Sequence, residues 1–143
     1  MIEKATSCRG LVVQNDKVLL IRRHKDKVDY WVFPGGHTEN EEAPPEVASR
    51  EILEETGLNV TEVGEVIFYD HPKWGTHEAV VICQVSPGEP VLGGPETERN
   101  SPEDLYEPSW VDVELALTFE NLFPDPVREL FRNRFSRKSD KDL

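Results

Sequence analysis

The order of hydrophobic and polar positions predicts that the chain begins with short β-strands. Residues 10–13 and 18–21 are aliphatic and β-branched, and the polar residues between them indicate a hairpin turn that joins two antiparallel strands. After a basic stretch at residues 22–27, a third short strand is expected at residues 30–33, and the Pro-Gly-Gly sequence of residues 34–36 ends it. The N-terminal part is therefore expected to be mostly sheet.

Two segments have the pattern of helices. Residues 43–56 begin with Pro44 and Pro45, which the first helical turn tolerates because its N–H groups have no partner within the helix, and Gly57 is a typical stop. Residues 126–135 place apolar side chains at helical spacing, which predicts an amphipathic helix that packs on a sheet. Further strands are expected at residues 58–69, 78–85 and 109–113, and an irregular loop at residues 86–108.

These elements and the length of the chain predict one mixed α/β domain. The 143 residues fit a single domain over residues 1–143 and suffice to bury a core. Residues 136–143 are polar and are expected to form a frayed tail. Cys8 and Cys83 lie in apolar, strand-like segments and are expected to be buried free thiols.

Charge and composition narrow the class of function. The net charge of −12 argues against a nucleic-acid polymer as partner, because such a partner requires a basic surface. It allows an anionic small molecule, since a bound divalent cation can reverse the local field. No segment approaches the roughly 20 apolar residues of a membrane span, and the first residues lack the apolar core of a signal peptide. The expected location is the cytoplasm, without a membrane partner.

One acidic helix face carries the candidate chemistry. Glu51, Glu54 and Glu55 are spaced so that their side chains lie within one helical turn, about 5–6 Å apart at Cβ. Leu58 and Asn59 occupy the positions where a lysine would neutralise them. Mg²⁺ accepts a few carboxylates and keeps sites for water and phosphate oxygens, so the face predicts a divalent-cation site. The charge pattern taken alone nevertheless favours a solvated acidic helix.

The spacing of the surrounding residues decides between these interpretations. Gly36 is followed by five residues, Glu42, seven residues and then the sequence Arg-Glu-Ile-Leu-Glu-Glu-Thr-Gly-Leu at residues 50–58. In this pattern the chain resembles the Nudix hydrolase family, and the match covers 23 of the 143 residues on a predicted loop, helix and turn. The Tyr-Trp-Val-Phe sequence before it and Ser-Trp-Val-Asp near the C-terminus are also similar to the family.

The resemblance implies a fold, an activity and a set of site residues. The implied fold is an α/β/α sandwich around a mixed β-sheet. The implied activity is hydrolysis of the pyrophosphate linkage of a nucleoside diphosphate derivative, which depends on Mg²⁺ or on Mn²⁺ in its place. Glu51, Glu54 and Glu55 would bind the metal and act in catalysis, and the backbone carbonyl of Gly35 would join them. A glutamate of this helix or of a later loop would deprotonate the attacking water.

Other charged residues have both a structural and a functional interpretation. Arg50 has Glu46 four residues before it, which favours an ordinary helix ion pair, whereas the resemblance implies a catalytic anchor that orients the carboxylates. Glu103 or Glu107 is a candidate for a further metal ligand from the long loop, although each is also typical of a solvated loop acid.

Recognition of the substrate is expected from segments outside the acidic helix. Arg22 and Arg23 are candidates for binding phosphates, and a solvated strand edge is an equally good interpretation of them. Trp74 is a candidate for stacking on a base, although a partly exposed aromatic residue also commonly packs at the rim of a site.

Three functions are compatible with these residues. The compact chain is most similar to MutT-like members that act on (d)NTPs or modified nucleotides. The first alternative is hydrolysis of ADP-ribose or a nucleotide sugar. The second is a non-catalytic module that senses a nucleotide, which the complete set of glutamates disfavours. A small-molecule nucleotide is the expected partner in each case, and a homodimer is compatible with all three.

Overall fold

The computed structural model describes residues 3–94 and 96–136. Within these residues the chain forms nine strands and four helices. The strands are β1 (Ser7–Leu11), β2 (Val13–Gln14), β3 (Lys17–Lys25), β4 (Val28–Val32), β5 (Gly35–His37), β6 (Val60–Asp70), β7 (His77–Val85), β8 (Asp104–Asp112) and β9 (Leu122–Phe123). The helices are α1 (Pro44–Thr56), α2 (Glu96–Arg99), α3 (Val113–Ala116) and α4 (Asp125–Phe135). Apart from Ser136, the predicted frayed tail at residues 136–143 lies outside the described residues.

The strands form two mixed sheets. The first sheet has the order β5-β1-β7-β6, in which β1 and β7 are parallel and the other pairs are antiparallel. In the second sheet, β3 pairs with β8 along its whole length and also with β2 and β4. Because a strand has only two edges, β2 and β4 share the edge that β8 leaves open, and β9 extends the sheet in parallel to β4.

The predicted N-terminal hairpin is correct at its turn and wrong in one of its strands. Asn15 and Asp16 both have positive φ angles, 53° and 62°, the combination that a tight two-residue hairpin requires. However, Gly10 and Leu11 of the first predicted strand pair with β7 in the first sheet. Of that predicted strand, only Val13, which belongs to β2, pairs with β3. A continuous apolar run does not reveal that the chain passes from one sheet to the other within it.

The segment at residues 86–108 is more regular than predicted. It contains α2, and β8 begins at Asp104 rather than at residue 109. Pro108 lies inside β8, opposite Ile21. Proline is tolerated there because β8 is an edge strand among the described residues, so no neighbour requires the missing N–H. The abundance of proline, which predicted a loop, is therefore compatible with this strand.

Both predicted helices are present, and they cover opposite faces of the first sheet. Ala48 and Ile52 of α1 pack in a buried cluster with Val81, whereas Phe131 of α4 packs in a cluster with Val80. Successive side chains of a strand point to opposite faces, so the two helices flank β7 from both sides. This confirms the α/β class and the arrangement of helices around a mixed sheet. No helix among the described residues is long and apolar enough to cross a membrane.

The ends of α1 follow from its sequence. Ala43 precedes the helix, and its N–H donates to the Glu46 carboxylate at 2.8 Å. Gly57 has a φ of 73° in the left-handed region, and its N–H donates to the Leu53 carbonyl at 2.9 Å. These contacts fix the helix ends at the predicted positions.

The contact between α4 and the sheet should dominate the stability of the C-terminal part. Phe131 is fully buried and meets Phe33 edge-on at 6.0 Å between ring centroids. Phe131→Ala is expected to lower the free energy of unfolding by about 3–5 kcal/mol, because the cavity it leaves cannot collapse completely. Leu115→Ala, at a side chain that is 54% exposed, is the matched control and should change it by about 0.5 kcal/mol or less. Urea unfolding measures both, and equal effects would contradict this description of the core.

Candidate metal centre and adjoining cavity

Two carboxylates of α1 lie against the backbone of β5. The Gly35 N–H donates to Oε1 of Glu55 at 2.9 Å. At Gly36, a Cβ atom would lie 2.5 Å from Oε1 of Glu51, so no other residue fits without displacing this carboxylate. Both glutamates are buried, with exposed fractions of 8% and 9%. The missing side chain of Gly36 therefore leaves room for Glu51, and the backbone N–H of Gly35 binds Glu55.

A third carboxylate reaches the same place from the segment after β7. Ligand oxygens of Glu51, Glu55 and Glu96 all lie within 4.8 Å of one another. The segment before Glu96 is attached to the end of α1, since the Gly93 N–H donates to the Glu54 carbonyl at 2.8 Å. Oε1 of Glu96 is buried and has no hydrogen-bond partner among the described residues. We refer to Glu51, Glu55 and Glu96 as the carboxylate cluster.

The carboxylate cluster places three acidic groups where little solvent reaches them. Burial raises the pKa of Glu51, and it raises the pKa of Glu55 to about 8, while the charge of Arg9 and the Gly35 N–H oppose the shift of Glu55. Hard divalent cations such as Mg²⁺ prefer carboxylate oxygens. The buried oxygen of Glu96 without a partner supplies a ligand atom, so the residues present fit such a cation.

Arg50 joins the carboxylate cluster to the loop that precedes α1. Its Nε and one terminal nitrogen form a fork on the Glu42 carboxylate at 2.8 and 2.9 Å, and its other terminal nitrogen donates to Oε2 of Glu51 at 2.5 Å. This arginine lowers the pKa of Glu42 to about 2. The alternative ion pair with Glu46 is wrong, because the Glu46 carboxylate caps the start of the helix. Arg50 is therefore placed to orient Glu51.

The other predicted metal ligands lie at different distances from the carboxylate cluster. Gly35 contacts Glu55 through its N–H, and the ligand role of its carbonyl stays a prediction. Glu54 is outside the cluster, and its carboxylate lies 3.7 Å from Arg50. The long loop contributes Glu96 instead of Glu103 or Glu107. Glu103 is exposed. Glu107 lies on β8 and forms an ion pair at 3.0 Å with Arg22 of the neighbouring strand β3.

Neither of the two predicted arginines reaches the carboxylate cluster through its contacts. Arg23 is 7% exposed, donates to Asp104 at 2.8 Å and has its guanidinium 3.7 Å from the ring centroid of Tyr106. Arg22 lines a separate surface depression with His24 and Asn100, beside its ion pair with Glu107. The guanidinium of Arg23 is thus engaged within the protein, and Arg22 faces a different part of the surface.

A cavity of about 320 Å³ adjoins the centre on the far side of β5. Trp74, which is 64% exposed, is among the residues that line it, a position compatible with both the stacking role and the rim-packing role considered from the sequence. Its lining residues come from β1, β5, β7, the loop before β7 and the start of α4: Thr6, Ser7, Arg9, Gly36, His37, His71, Trp74, Thr76, Glu78 and Pro124.

Arg9 is the basic residue of this cavity, and the sequence interpretation did not include it. Its guanidinium donates to the Phe33 carbonyl at 2.8 Å, and no carboxylate of the described residues forms an ion pair with it. Its charge nevertheless opposes the raised pKa of Glu55. The sequence signal for Arg9 was its position as a single arginine inside the apolar segment from Cys8 to Leu11. Charged residues are rarely buried in a strand unless they have a partner.

Comparison with known proteins identifies related chains. A model of the NUDIX domain matches residues 4–132. A Bacillus subtilis (strain 168) protein named "Putative 8-oxo-dGTP diphosphatase" is 34% identical over 84 residues, which cover 59% of this chain and 55% of that protein. A MutT-like protein of Streptomyces ambofaciens is 38% identical over 85 residues, with 59% and 54% covered. The chain therefore spans about half the length of these curated relatives.

Solved structures agree with the fold. A NUDIX hydrolase from Nitrosomonas europaea superimposes with a TM-score of 0.68 at 21% identity, and the match covers 95% of this chain and 75% of that one. At this level of identity the comparison concerns the arrangement of the elements alone.

The raised pKa of Glu55 predicts that the metal-free protein loses stability as the pH rises. The folded state holds a proton up to about pH 8, whereas the unfolded chain releases it near pH 4.5, so unfolding becomes easier across this window. In a chelator, the melting temperature should therefore fall between about pH 5 and 8, and Glu55→Gln should flatten the decline. Added Mg²⁺ should raise the wild-type curve most at high pH. If the melting temperatures of wild type and Glu55→Gln fell in parallel with pH in chelator, Glu55 would not be the group that holds the proton.

Proposed function

We propose that this chain, which belongs to the Nudix family, hydrolyses the pyrophosphate linkage of a nucleoside diphosphate derivative, with a (d)NTP or a modified nucleotide as substrate. The observation that carries the proposal is the carboxylate cluster, Glu51, Glu55 and Glu96, beside a cavity whose arginine, Arg9, has no carboxylate partner among the described residues. Such a site needs a cation on one side and an anionic molecule on the other. A nucleotide with its metal satisfies both.

The residues that would hold the cation are the carboxylate cluster, together with Glu54 and the Gly35 carbonyl from the same neighbourhood. Bound Mg²⁺, or Mn²⁺ in its place, would neutralise phosphate oxygens and lower the pKa of the attacking water. Arg50 would hold Glu51 in place through its hydrogen bonds to Glu51 and Glu42. The charge of Arg9 would offset part of the negative charge on the substrate.

Glu96 is our candidate for the base that takes the proton of the attacking water. As the water oxygen bonds to phosphorus, the bridging P–O bond breaks, and the proton passes to a carboxylate. Glu96 is the member of the carboxylate cluster that does not belong to α1. With its buried Oε1 on the cation, its Oε2 would take the proton, and this oxygen lies 3.8 Å from Arg99, beyond hydrogen-bond distance. Glu55, in contrast, already accepts the Gly35 N–H.

Two observations favour a mononucleotide as the substrate. The cavity of about 320 Å³ is at the small end of the range for ligand pockets, about 300–1,000 Å³, which suits one nucleoside. The names of the two relatives refer to 8-oxo-dGTP and to MutT. ADP-ribose and nucleotide sugars carry a second bulky group, which would extend beyond this cavity.

Hydrolysis by the purified full chain tests the proposal. With Mg²⁺ and a panel of (d)NTPs, 8-oxo-dGTP, ADP-ribose, dinucleoside polyphosphates and nucleotide sugars, we expect products cleaved at the pyrophosphate linkage. Glu54→Gln, Glu55→Gln and Glu96→Gln should each lower kcat by about tenfold or more, because each removes a negative charge at or beside the cation site.

Glu103→Gln is the matched control, since Glu103 is an exposed glutamate of the same segment as Glu96. It should leave turnover within about twofold of wild type. Full activity in a chelator would exclude the metal-dependent mechanism. Absence of hydrolysis across the panel, with binding retained, would instead indicate a nucleotide-sensing module.

A further inference from the structure

Glu78 lines the cavity and has unused capacity to accept hydrogen bonds. It lies on β7 between Ser7 of β1 and Tyr69 of β6, opposite both in the sheet. Its Oε2 accepts the Thr76 hydroxyl at 2.7 Å, and its charge contributes, after burial, to the raised pKa of Tyr69. A carboxylate has about four lone-pair positions, so several remain for a bound molecule.

An ionised carboxylate accepts hydrogen bonds and donates none, which determines the base that it fits best. Guanine presents two adjacent donors on its pairing edge, N1–H and the N2 amino group. Adenine and cytosine place an acceptor beside their amino group, and uracil and thymine flank a single N–H with two carbonyl oxygens. A carboxylate can therefore form two parallel hydrogen bonds with guanine alone among these bases.

The other residues of the cavity fix which end of a nucleotide meets Glu78. Trp74 is 64% exposed at the rim, and its ring centroid lies 5.9 Å from that of His71 and 4.7 Å from the Lys73 ammonium. A base that stacks on Trp74 would take the place of Lys73 on the ring. Arg9 lies two residues along β1 from Ser7, on the same face of the sheet. Its partner in the sheet is Gly35, whose N–H contacts Glu55. The phosphates would thus lie at the Arg9 end, toward the carboxylate cluster, and the base at the Glu78 end.

We infer that Glu78 is the residue that selects the base, and that the preferred substrate carries guanine or a base with the same two adjacent donors. The inference rests on the proposed function, because it takes the nucleotide site to be this cavity. Trp74 stacks on the base without selecting it, and Arg9 binds the phosphate that adjoins the nucleoside.

Binding of nucleoside monophosphates tests this inference without any turnover, since they contain no pyrophosphate linkage. Affinities of GMP, IMP and AMP for the full chain are measured in Mg²⁺ by calorimetry. IMP lacks the N2 amino group and AMP lacks both donors at these positions. Wild type should bind GMP about tenfold more tightly than IMP, and more tightly still than AMP, as expected for loss of one of two paired hydrogen bonds.

Glu78→Gln replaces one acceptor oxygen by an amide donor, so it should weaken GMP binding about tenfold and abolish the difference between GMP and IMP. Glu62→Gln, at an exposed glutamate of β6, is the matched control and should keep the wild-type order. Trp74→Ala should weaken binding of all three nucleotides by about fivefold or more and leave their ratios unchanged, because stacking does not depend on the pairing edge.

Equal affinities for the three nucleotides in wild type, or an unchanged preference in Glu78→Gln, would overturn the inference. The two proposals fail separately. Selective binding of GMP without hydrolysis of any triphosphate would remove the proposed function and keep Glu78 as the selecting residue. Hydrolysis of triphosphates with no preference among bases would keep the proposed function and remove the selecting role of Glu78.

Discussion

The close approach of α1 to the glycines of β5 is the contact on which the rest of the site depends. It places Glu51 and Glu55 where their charges are poorly solvated, and the Gly35 N–H supplies only part of what they lose from water. The hydrogen bond from Arg50 to Glu51 lowers the remaining desolvation cost. A bound divalent cation would lower it further. The buried carboxylates therefore lower the stability of α1, and a cation bound to them would raise it.

The order of strands in the first sheet explains why the centre and the cavity are neighbours. Since β5 is at the edge of that sheet, one of its faces meets α1 and the other borders the cavity, and only backbone separates the two. The parallel pairing of β1 and β7 then places Arg9 and Glu78 along one wall. Gly36 of β5 is thus a residue that both the cavity and the carboxylate cluster border.

Local sequence pattern was sufficient for α1 and insufficient for its partners. Both ends of α1, marked by Pro44 and Gly57, and the positions of its glutamates depend on residues within a single segment. They were predicted correctly. Glu96 and Arg9 enter the site through pairing of β1 with β7 and through contacts at the end of α1, which connect distant parts of the chain. Spacing along the sequence carries no information about such contacts, so the sequence analysis named Glu103, Glu107, Arg22 and Arg23 and did not include Glu96 or Arg9.

The loop between β6 and β7 is tied mainly to itself. His71 exchanges backbone hydrogen bonds with Thr76 and Gly75, at 2.9 and 2.7 Å, and its ring accepts the Lys73 N–H at 3.1 Å. The strands β6 and β7 on either side of it form a long antiparallel pair. Exchange of this tip and its aromatic side chain, in related chains or by grafting in the laboratory, would therefore leave the carboxylate cluster on the opposite edge of the sheet unaltered.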